Sequence, residues 1–96
     1  MNVPVELLTP GTRAPIHCIT SDLSLTGCYV ELMFTLPVET AIEIRLQLQH
    51  RMLSLWGKVV TCDPQVGNGI EFTKVPPEVL EELVSHLAPK LLGASQ

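Results

Sequence analysis

The alternation of apolar and polar residues over Ala41–Gln49 is the feature that most constrains the fold of this chain. Four apolar residues (Ile42, Ile44, Leu46 and Leu48) alternate with four polar ones (Glu43, Arg45, Gln47 and Gln49). Successive side chains of a β-strand point to opposite faces, so this spacing predicts a strand with one buried and one solvated face. Such a strand requires neighbours that bury the same face.

Five other short segments predict further strands, bounded by turns rich in Pro and Gly. They are Val3–Leu8, Ala14–Thr20, Cys28–Met33, Met52–Cys62 and Gly69–Thr73. A glycine inside a strand often marks an irregularity, so Gly57 predicts a bulge or bend in the fifth strand. Closing the strands into a barrel would remove the free edges that otherwise invite aggregation. The sequence therefore predicts an all-β barrel.

The last part of the chain changes to a helical period. Apolar residues recur at 3.6-residue spacing in Val79, Leu80, Leu83, Val84 and Leu87. Pro77 suits the first helical position, and Pro89 is expected to end the regular helix. We therefore expect a single domain over residues 1–96, with a barrel over about 2–74 and a C-terminal helix over about 77–88. A barrel of six strands is too narrow to hold a ligand, so a binding site must lie on its wall, in a loop or beside the helix.

Composition excludes several classes of function. The net charge is −4 with six Lys plus Arg, and aromatic residues are 4% of the chain, which argues against binding of a nucleic-acid polymer. No apolar stretch reaches the length of a membrane span, and the first residues lack the pattern of a signal peptide. The expected location is therefore the cytoplasm. The chain has no C-x-x-C pair among its three cysteines, Cys18, Cys28 and Cys62. We expect them to be free thiols and expect no metal site.

The segment between the second and third strands carries the clearest candidate site. Asp22, Ser24 and Gly27 form D-x-S-x-x-G. A short carboxylate offers two acceptors that suit the adjacent N–H donors of a guanine edge, and a hydroxyl two residues away lies on the same side of an extended backbone. Gly27 permits positive φ or a close ligand approach. The alternative is structural, because Asp and Ser often bond to neighbouring backbone in turns.

The sequence resembles the PilZ domain family at this segment. D-L-S-L-T-G-C-Y-V-E is similar to the family's D-x-S-x-x-G segment and the strand after it, and W-G-K-V-V, V-G-N-G-I-E-F and the terminal helix extend the resemblance over nearly the whole chain. The resemblance implies a six-stranded antiparallel β-barrel with one C-terminal α-helix. It also implies a non-catalytic receptor that binds cyclic di-GMP on the barrel wall, through Asp22, Ser24 and Gly27, and changes its contacts with a protein partner.

The chain departs from the family at its second signature. The family carries R-x-x-x-R just before the first strand, where arginines hold the phosphates and guanine faces. That motif is absent from these 96 residues, and Arg13 follows the first strand instead. Two interpretations remain open: a receptor whose affinity is weakened or whose motif lies upstream, and a degenerate protein-interaction module that does not bind nucleotide. The partner and the oligomeric state are not determined by the sequence.

Other residue sets suggest weaker hypotheses. Asp22, Ser24 and His17 could be drawn as a triad, but the G-x-S-x-G context is missing, so no enzyme and no catalytic residue are expected. His17 is expected to point outward from its strand, and His50-Arg51 to lie in a hairpin turn. Trp56 is expected on the face opposite Leu53 and Leu55. There it either packs under the helix or a loop, or stands partly exposed to stack on a base or anchor a protein.

Overall fold

The computed structural model describes residues 3–9, 14–48 and 51–91, with side chains up to residue 88. It contains six strands and one helix in those ranges. They are β1 (Val3–Leu8), β2 (Ile16–Leu23), β3 (Gly27–Glu31), β4 (Ala41–Leu48), β5 (Arg51–Asp63), β6 (Gly67–Lys74) and α1 (Pro77–Leu91). The all-β class and the single C-terminal helix are therefore confirmed. Arg13 and His50 lie outside the described residues. Arg51, expected in a hairpin turn, is instead the first residue of β5.

The strands form a closed barrel in the order β1-β2-β3-β6-β5-β4, and β1 pairs with β4 to complete it. All six neighbouring pairs are antiparallel. The pairs β1–β2, β2–β3, β4–β5 and β5–β6 join strands that follow one another in sequence. The pairs β1–β4 and β3–β6 join more distant segments, so closure depends on contacts that local patterning does not specify.

The alternation in β4 fills the barrel interior as predicted. The four large apolar residues of β4 are buried, and Ile44 and Leu46 are fully so. Inward residues of the other strands complete the core, among them Leu7, Val30, Leu55, Val59 and Ile70. The aliphatic side chains fill the interior, so the polar residues that alternate with them form the outer surface of the barrel.

Strand β2 extends further than the sequence predicted, to Leu23 instead of Thr20. Asp22 pairs with Tyr29 and Leu23 with Cys28, with a register shift after Thr20. Thr-Ser-Asp has the composition of a turn, but pairing with β3 and burial of Leu23 keep this segment extended. The D-x-S-x-x-G segment thus begins inside a strand and ends at the first residue of the next.

The irregularity predicted at Gly57 is confirmed, and the extra residue belongs to the partner strand. Trp56 pairs with Lys74 whereas Gly57 pairs with Phe72, so Thr73 has no direct partner on β5. A Cβ at position 57 would lie 2.8 Å from the Glu71 carbonyl oxygen. A glycine is therefore needed for β5 and β6 to approach this closely beside the bulge.

The helix covers the barrel at the end where β5 begins. Val79, Leu83 and Leu87 are buried, with Leu83 fully so, and an ion pair joins Arg51 to Glu82 at 2.9 Å. The remaining two residues of the predicted apolar stripe, Leu80 and Val84, are 41% and 42% exposed. Only one side of the stripe therefore docks on the barrel.

The expectation that Pro89 ends the helix near residue 88 is wrong, because α1 continues to Leu91. A proline removes its own N–H donor but leaves intact the carbonyls to which the next residues donate. Two more residues can therefore keep helical geometry in this last turn. Within the described residues, no helix combines the length and apolar character needed to span a membrane.

We predict that Leu83→Ala lowers the free energy of unfolding by about 2–5 kcal/mol, because the side chain is fully buried between helix and barrel. Val84→Ala, one residue away at an exposed position, is the matched control and should change it by less than about 0.5 kcal/mol. Thermal melts of both variants over a dilution series, run beside sedimentation, provide the measurement. Equal effects of the two substitutions, or a loss of self-association without a change in monomer melting, would contradict the docking described here.

Candidate nucleotide site on the barrel wall

The structure brings Asp22, Ser24 and Gly27 to one cavity of about 350 Å³ on the barrel wall. The cavity lies over strands β2, β3, β6 and β5. Its remaining lining residues are Thr26, Cys28, Tyr29, Val60, Thr61, Gly69, Ile70 and Glu71. The three residues selected from the sequence therefore share a concave surface with residues from distant parts of the chain.

Asp22 is exposed at this cavity near the end of β2. Its backbone is fixed by pairing with Tyr29. Among the described residues its carboxylate makes no hydrogen bond or ion pair. Asp22 is thus held in place by the sheet while both carboxylate oxygens stay available to donors of a ligand.

The Ser24 hydroxyl is occupied by the β2–β3 turn. Its Oγ accepts from the backbone N–H groups of Thr26 and Gly27 at 3.2 Å each, and it lies 3.2 Å from the Gly27 carbonyl oxygen, to which it donates. The Ser24 N–H also donates to the Gly27 carbonyl at 2.9 Å. Because one hydroxyl has one proton and two lone pairs, these contacts use its capacity. Ser24 therefore bonds to the neighbouring backbone of its turn, which is the structural alternative given for it above.

Gly27 is required by the approach of two strands. Its backbone is not left-handed, and a Cβ there would collide with the Ile70 carbonyl oxygen of β6. Gly27 pairs with Glu71 at this point. The glycine thus allows β3 to pack on β6, which draws the D-x-S-x-x-G segment against the strand that supplies Glu71.

Eight of the lining residues were not predicted as site residues, and Tyr29, Val60, Thr61 and Glu71 are among them. The phenol of Tyr29 donates to Asp63 Oδ2 at 2.7 Å, and this bond, with lesser contributions from desolvation and nearby acidic charge, raises the pKa of Tyr29 to about 12. Thr61 Oγ1 accepts from the Gly69 N–H at 3.0 Å, beside a register shift in β5. These residues reach the cavity through β3–β6 and β5–β6 pairing, which no local motif indicates.

The cavity carries negative charge from Asp22 and Glu71, and no Lys or Arg of the described ranges lines it. Three of the described cations are paired elsewhere: Arg45 with Glu6 and Glu43, Arg51 with Glu82, and Lys58 with Glu39. Lys74 lies over the ring of Trp56. The cavity can therefore accept hydrogen bonds from a ligand but offers no cation for a phosphate.

Asn68 is a fully buried polar residue behind the wall, and no motif in the sequence pointed to it. Its Nδ2 donates to the carbonyls of Leu36 at 2.9 Å and Thr61 at 3.0 Å, while its Oδ1 accepts from the Leu36 N–H at 2.7 Å. One side chain thus fixes the β3–β4 loop and the β5 backbone at the cavity. The only hint in the sequence was an asparagine between two glycines inside an apolar strand.

The other candidates lie apart from this cavity. His17 Nδ1 is 3.6 Å from Glu6 Oε2, so the structure does not bring its imidazole to Ser24. The three cysteines are free thiols, and burial raises the pKa of Cys18 to about 11 and of Cys28 to about 12. Within the described residues, no group of three or more His, Cys, Asp or Glu side chains could hold a metal ion. Trp56 is 39% exposed on the wall, as expected for the face opposite Leu53 and Leu55.

Comparison with known proteins agrees with the barrel fold. The sequence matches the family described as the PilZ domain over residues 1–88. The chain belongs to the PilZ domain family. Among solved structures it resembles the PilZ domain of CeSA from a cellulose-synthesizing bacterium, with a TM-score of 0.68 and 20% identity over 100% of this chain and 95% of that one. A search of curated proteins found no match.

Membership places the chain among receptor domains of the cyclic di-GMP-binding type, which are binding and regulatory domains and not enzymes. The structural likeness, at 20% identity, shows the shared fold. The D-x-S-x-x-G half of the PilZ signature is present and the R-x-x-x-R half is absent from these residues. The D-x-S-x-x-G half lies at the wall cavity described above.

We predict that Asn68→Ala destabilises this PilZ domain by about 3 kcal/mol, because three backbone groups lose the hydrogen bonds that the buried amide makes with them. Asn68→Asp should lose stability as pH rises from about 4 to 8. Burial raises the carboxyl pKa in the folded state, and the neutral form that stabilises the fold is lost above that pKa. Denaturant unfolding of both variants at several pH values, each compared with the unsubstituted chain, measures this. A pH-independent difference for the Asp variant would contradict the burial of this side chain.

Proposed function

We propose that this domain is a PilZ receptor whose wall cavity takes a guanine base of cyclic di-GMP, with affinity weakened by the absence of R-x-x-x-R. The observation that carries the proposal is the meeting of Asp22, Ser24 and Gly27 at one cavity of about 350 Å³. Such a volume falls within the range of small-molecule sites. The ligand class comes from the family, and the residues are those of its signature segment.

The roles of the three signature residues differ in this proposal. Asp22 reads the base, because its free carboxylate matches the N1–H and N2–H donors of guanine. Ser24 shapes the turn that presents Asp22, since its hydroxyl is used by Thr26 and Gly27. Gly27 lets β3 approach β6. The ring of Tyr29 and the side chain of Val60 supply apolar surface beside the acceptor.

Phosphate binding is the part of the site that the described residues do not supply. Val3, the first residue of β1, pairs with Thr20, two positions before Asp22. A segment added ahead of Val3 would therefore start beside the strand that leads to Asp22. Arginines in such a segment would compensate the charges of Asp22 and Glu71 and bind phosphate oxygens in bidentate geometry.

We predict that any measurable affinity for cyclic di-GMP depends on Asp22. Asp22→Ala removes a charged acceptor and should weaken binding by about 1.5–3 kcal/mol, with little change in thermal stability because the carboxylate has no partner among the described residues. Ser24→Ala should instead lower the melting temperature, because it removes the hydroxyl that holds the turn. Calorimetric titration beside thermal melts separates the two, and unchanged affinity in the Asp22 variant would reject its role.

We further predict that these 96 residues bind cyclic di-GMP with no sub-micromolar affinity. Two charge-assisted arginine contacts are missing, and each 1.4 kcal/mol is about tenfold in the dissociation constant. Adding an R-x-x-x-R segment ahead of Val3 should strengthen binding at least tenfold, whereas the matched Q-x-x-x-Q segment should not. Sub-micromolar binding by the unextended chain would show that other residues replace the arginines.

The second candidate is a degenerate PilZ module that binds a protein and no nucleotide. The observation that favours it is the cavity itself, whose charged residues in the described ranges are both carboxylates. Exposed apolar side chains of the β3–β4 loop, Met33 at 66% and Phe34 at 88%, provide surface for an unidentified partner. Absence of binding even with the R-x-x-x-R segment would favour this candidate. In either case we propose a cytoplasmic domain, because three free thiols suit a reducing compartment.

A further inference from the structure

A second concave surface lies on another part of the barrel wall, beside Trp56. Its volume is about 440 Å³, larger than that of the cavity at Asp22. It is lined by Leu8, Thr9, Ala41, Ile42, Glu43, Trp56, Gly57 and Thr73. None of these residues lines the first cavity, so the two surfaces are separate.

Three side chains of different chemistry form one row across this wall. Glu43 on β4 is the cross-strand partner of Trp56 on β5, and Trp56 in turn pairs with Lys74 on β6. Directly opposite residues have Cβ atoms about 5 Å apart. The Lys74 ammonium lies 5.7 Å from the centroid of the Trp56 ring. An acceptor, an aromatic face and a cation are therefore adjacent.

The β6 bulge adds a hydroxyl to this row. Thr73 is the residue left without a direct partner between the Trp56–Lys74 and Gly57–Phe72 pairs, and it lines the cavity. A bulge redirects a side chain that regular pairing would place elsewhere. The irregular backbone at Gly57 and Thr73 thus shapes the surface beside the tryptophan.

The charges at this surface are not balanced. Glu43 is compensated by Arg45, whose Nε lies 3.5 Å from Glu43 Oε2. Among the cations whose side chains the structure describes, Lys74 is the one without a carboxylate partner. The uncompensated ammonium at Trp56 favours an anionic group, in contrast to the first cavity.

We propose that the Trp56 cavity is a second nucleotide site, which takes a purine nucleoside monophosphate and prefers guanine. The base stacks on the exposed Trp56 ring, as bases do on aromatic side chains of other nucleotide-binding proteins. The phosphate lies at Lys74, where its charge is compensated. The Glu43 carboxylate accepts from the N–H donors of guanine, which adenine lacks at the corresponding positions.

The test uses GMP and the indole N–H signal of Trp56 in two-dimensional NMR spectra of the whole chain. Trp56 is the single tryptophan, so this signal reports one place. We expect a saturable shift with GMP, an affinity about tenfold lower for AMP, and no saturable shift with ribose 5-phosphate. A missing response to GMP would overturn the proposal. So would a response to arginine amide in its place, since that would define a site for a cationic side chain.

Matched substitutions assign the roles. Lys74→Gln should weaken GMP binding about tenfold, whereas Lys58→Gln, which removes the same charge from a lysine paired with Glu39, should leave it unchanged. Glu43→Gln should abolish the preference for GMP over AMP. Equal effects of the two lysine substitutions, or an unchanged preference in the Glu43 variant, would overturn the assignment.

The two cavities are distinguished by Asp22→Ala. This substitution should leave the GMP-induced shift of the Trp56 signal unchanged, because Asp22 does not line the Trp56 cavity. Loss of the shift in this variant would mean that the indole reports binding at the first cavity, and the second site would be rejected. The inference does not depend on cyclic di-GMP binding, which is measured by the calorimetry described above.

Discussion

The pairing of β3 with β6 is the contact on which the rest of this structure depends. It joins the β1-β2-β3 half of the chain to the β4-β5-β6 half, and with β1–β4 it closes the barrel. The pairing requires that Gly27 lack a side chain, because a Cβ would clash with the Ile70 carbonyl oxygen. The same close approach brings the turn that follows Asp22 against Glu71. Fold closure and site formation therefore share one steric requirement.

Burial of Asn68 extends this coupling to the surface. An unpaired buried amide would be costly, so its three hydrogen bonds constrain both the loop at Leu36 and the strand at Thr61. The loop that follows β3 exposes Phe34 at 88%, yet its backbone is tied to the barrel two residues later. A polar residue in the core thus positions apolar residues outside it.

Much of the fold could be predicted because its strands have strict local patterns. The alternation in Ala41–Gln49 placed the right side chains inside, and Gly57 marked a true irregularity. What local patterns could not give is the register between distant strands, and hence the inclusion of Tyr29, Val60, Thr61 and Glu71 in the cavity. The predicted end of the helix was wrong for a related reason. Proline generally ends helices, but the last turn of this helix tolerates Pro89. Motif spacing identified Asp22, Ser24 and Gly27 as candidates. Only the contacts in the structure show that the Asp22 carboxylate has no partner among the described residues, whereas the Ser24 hydroxyl is bonded within the turn.

The charge distribution explains how base recognition and phosphate binding can separate in such a domain. Reading a guanine edge, as we propose for this wall, requires acceptors, and Asp22 and Glu71 place two carboxylates there. Holding phosphates requires cations, and acceptor carboxylates at the same place raise the energy of a bound dianion unless cations compensate them. A wall that presents acceptors but no cation can therefore keep its selectivity for a guanine base while losing most of its affinity for the whole nucleotide. Under the proposed function, cations in an added flanking segment would restore affinity without altering the wall. In this barrel the first cavity lacks such a cation among its described residues, whereas the row at Trp56 contains one in Lys74. Differences of this kind between two parts of one wall arise from single residues and need no change of fold.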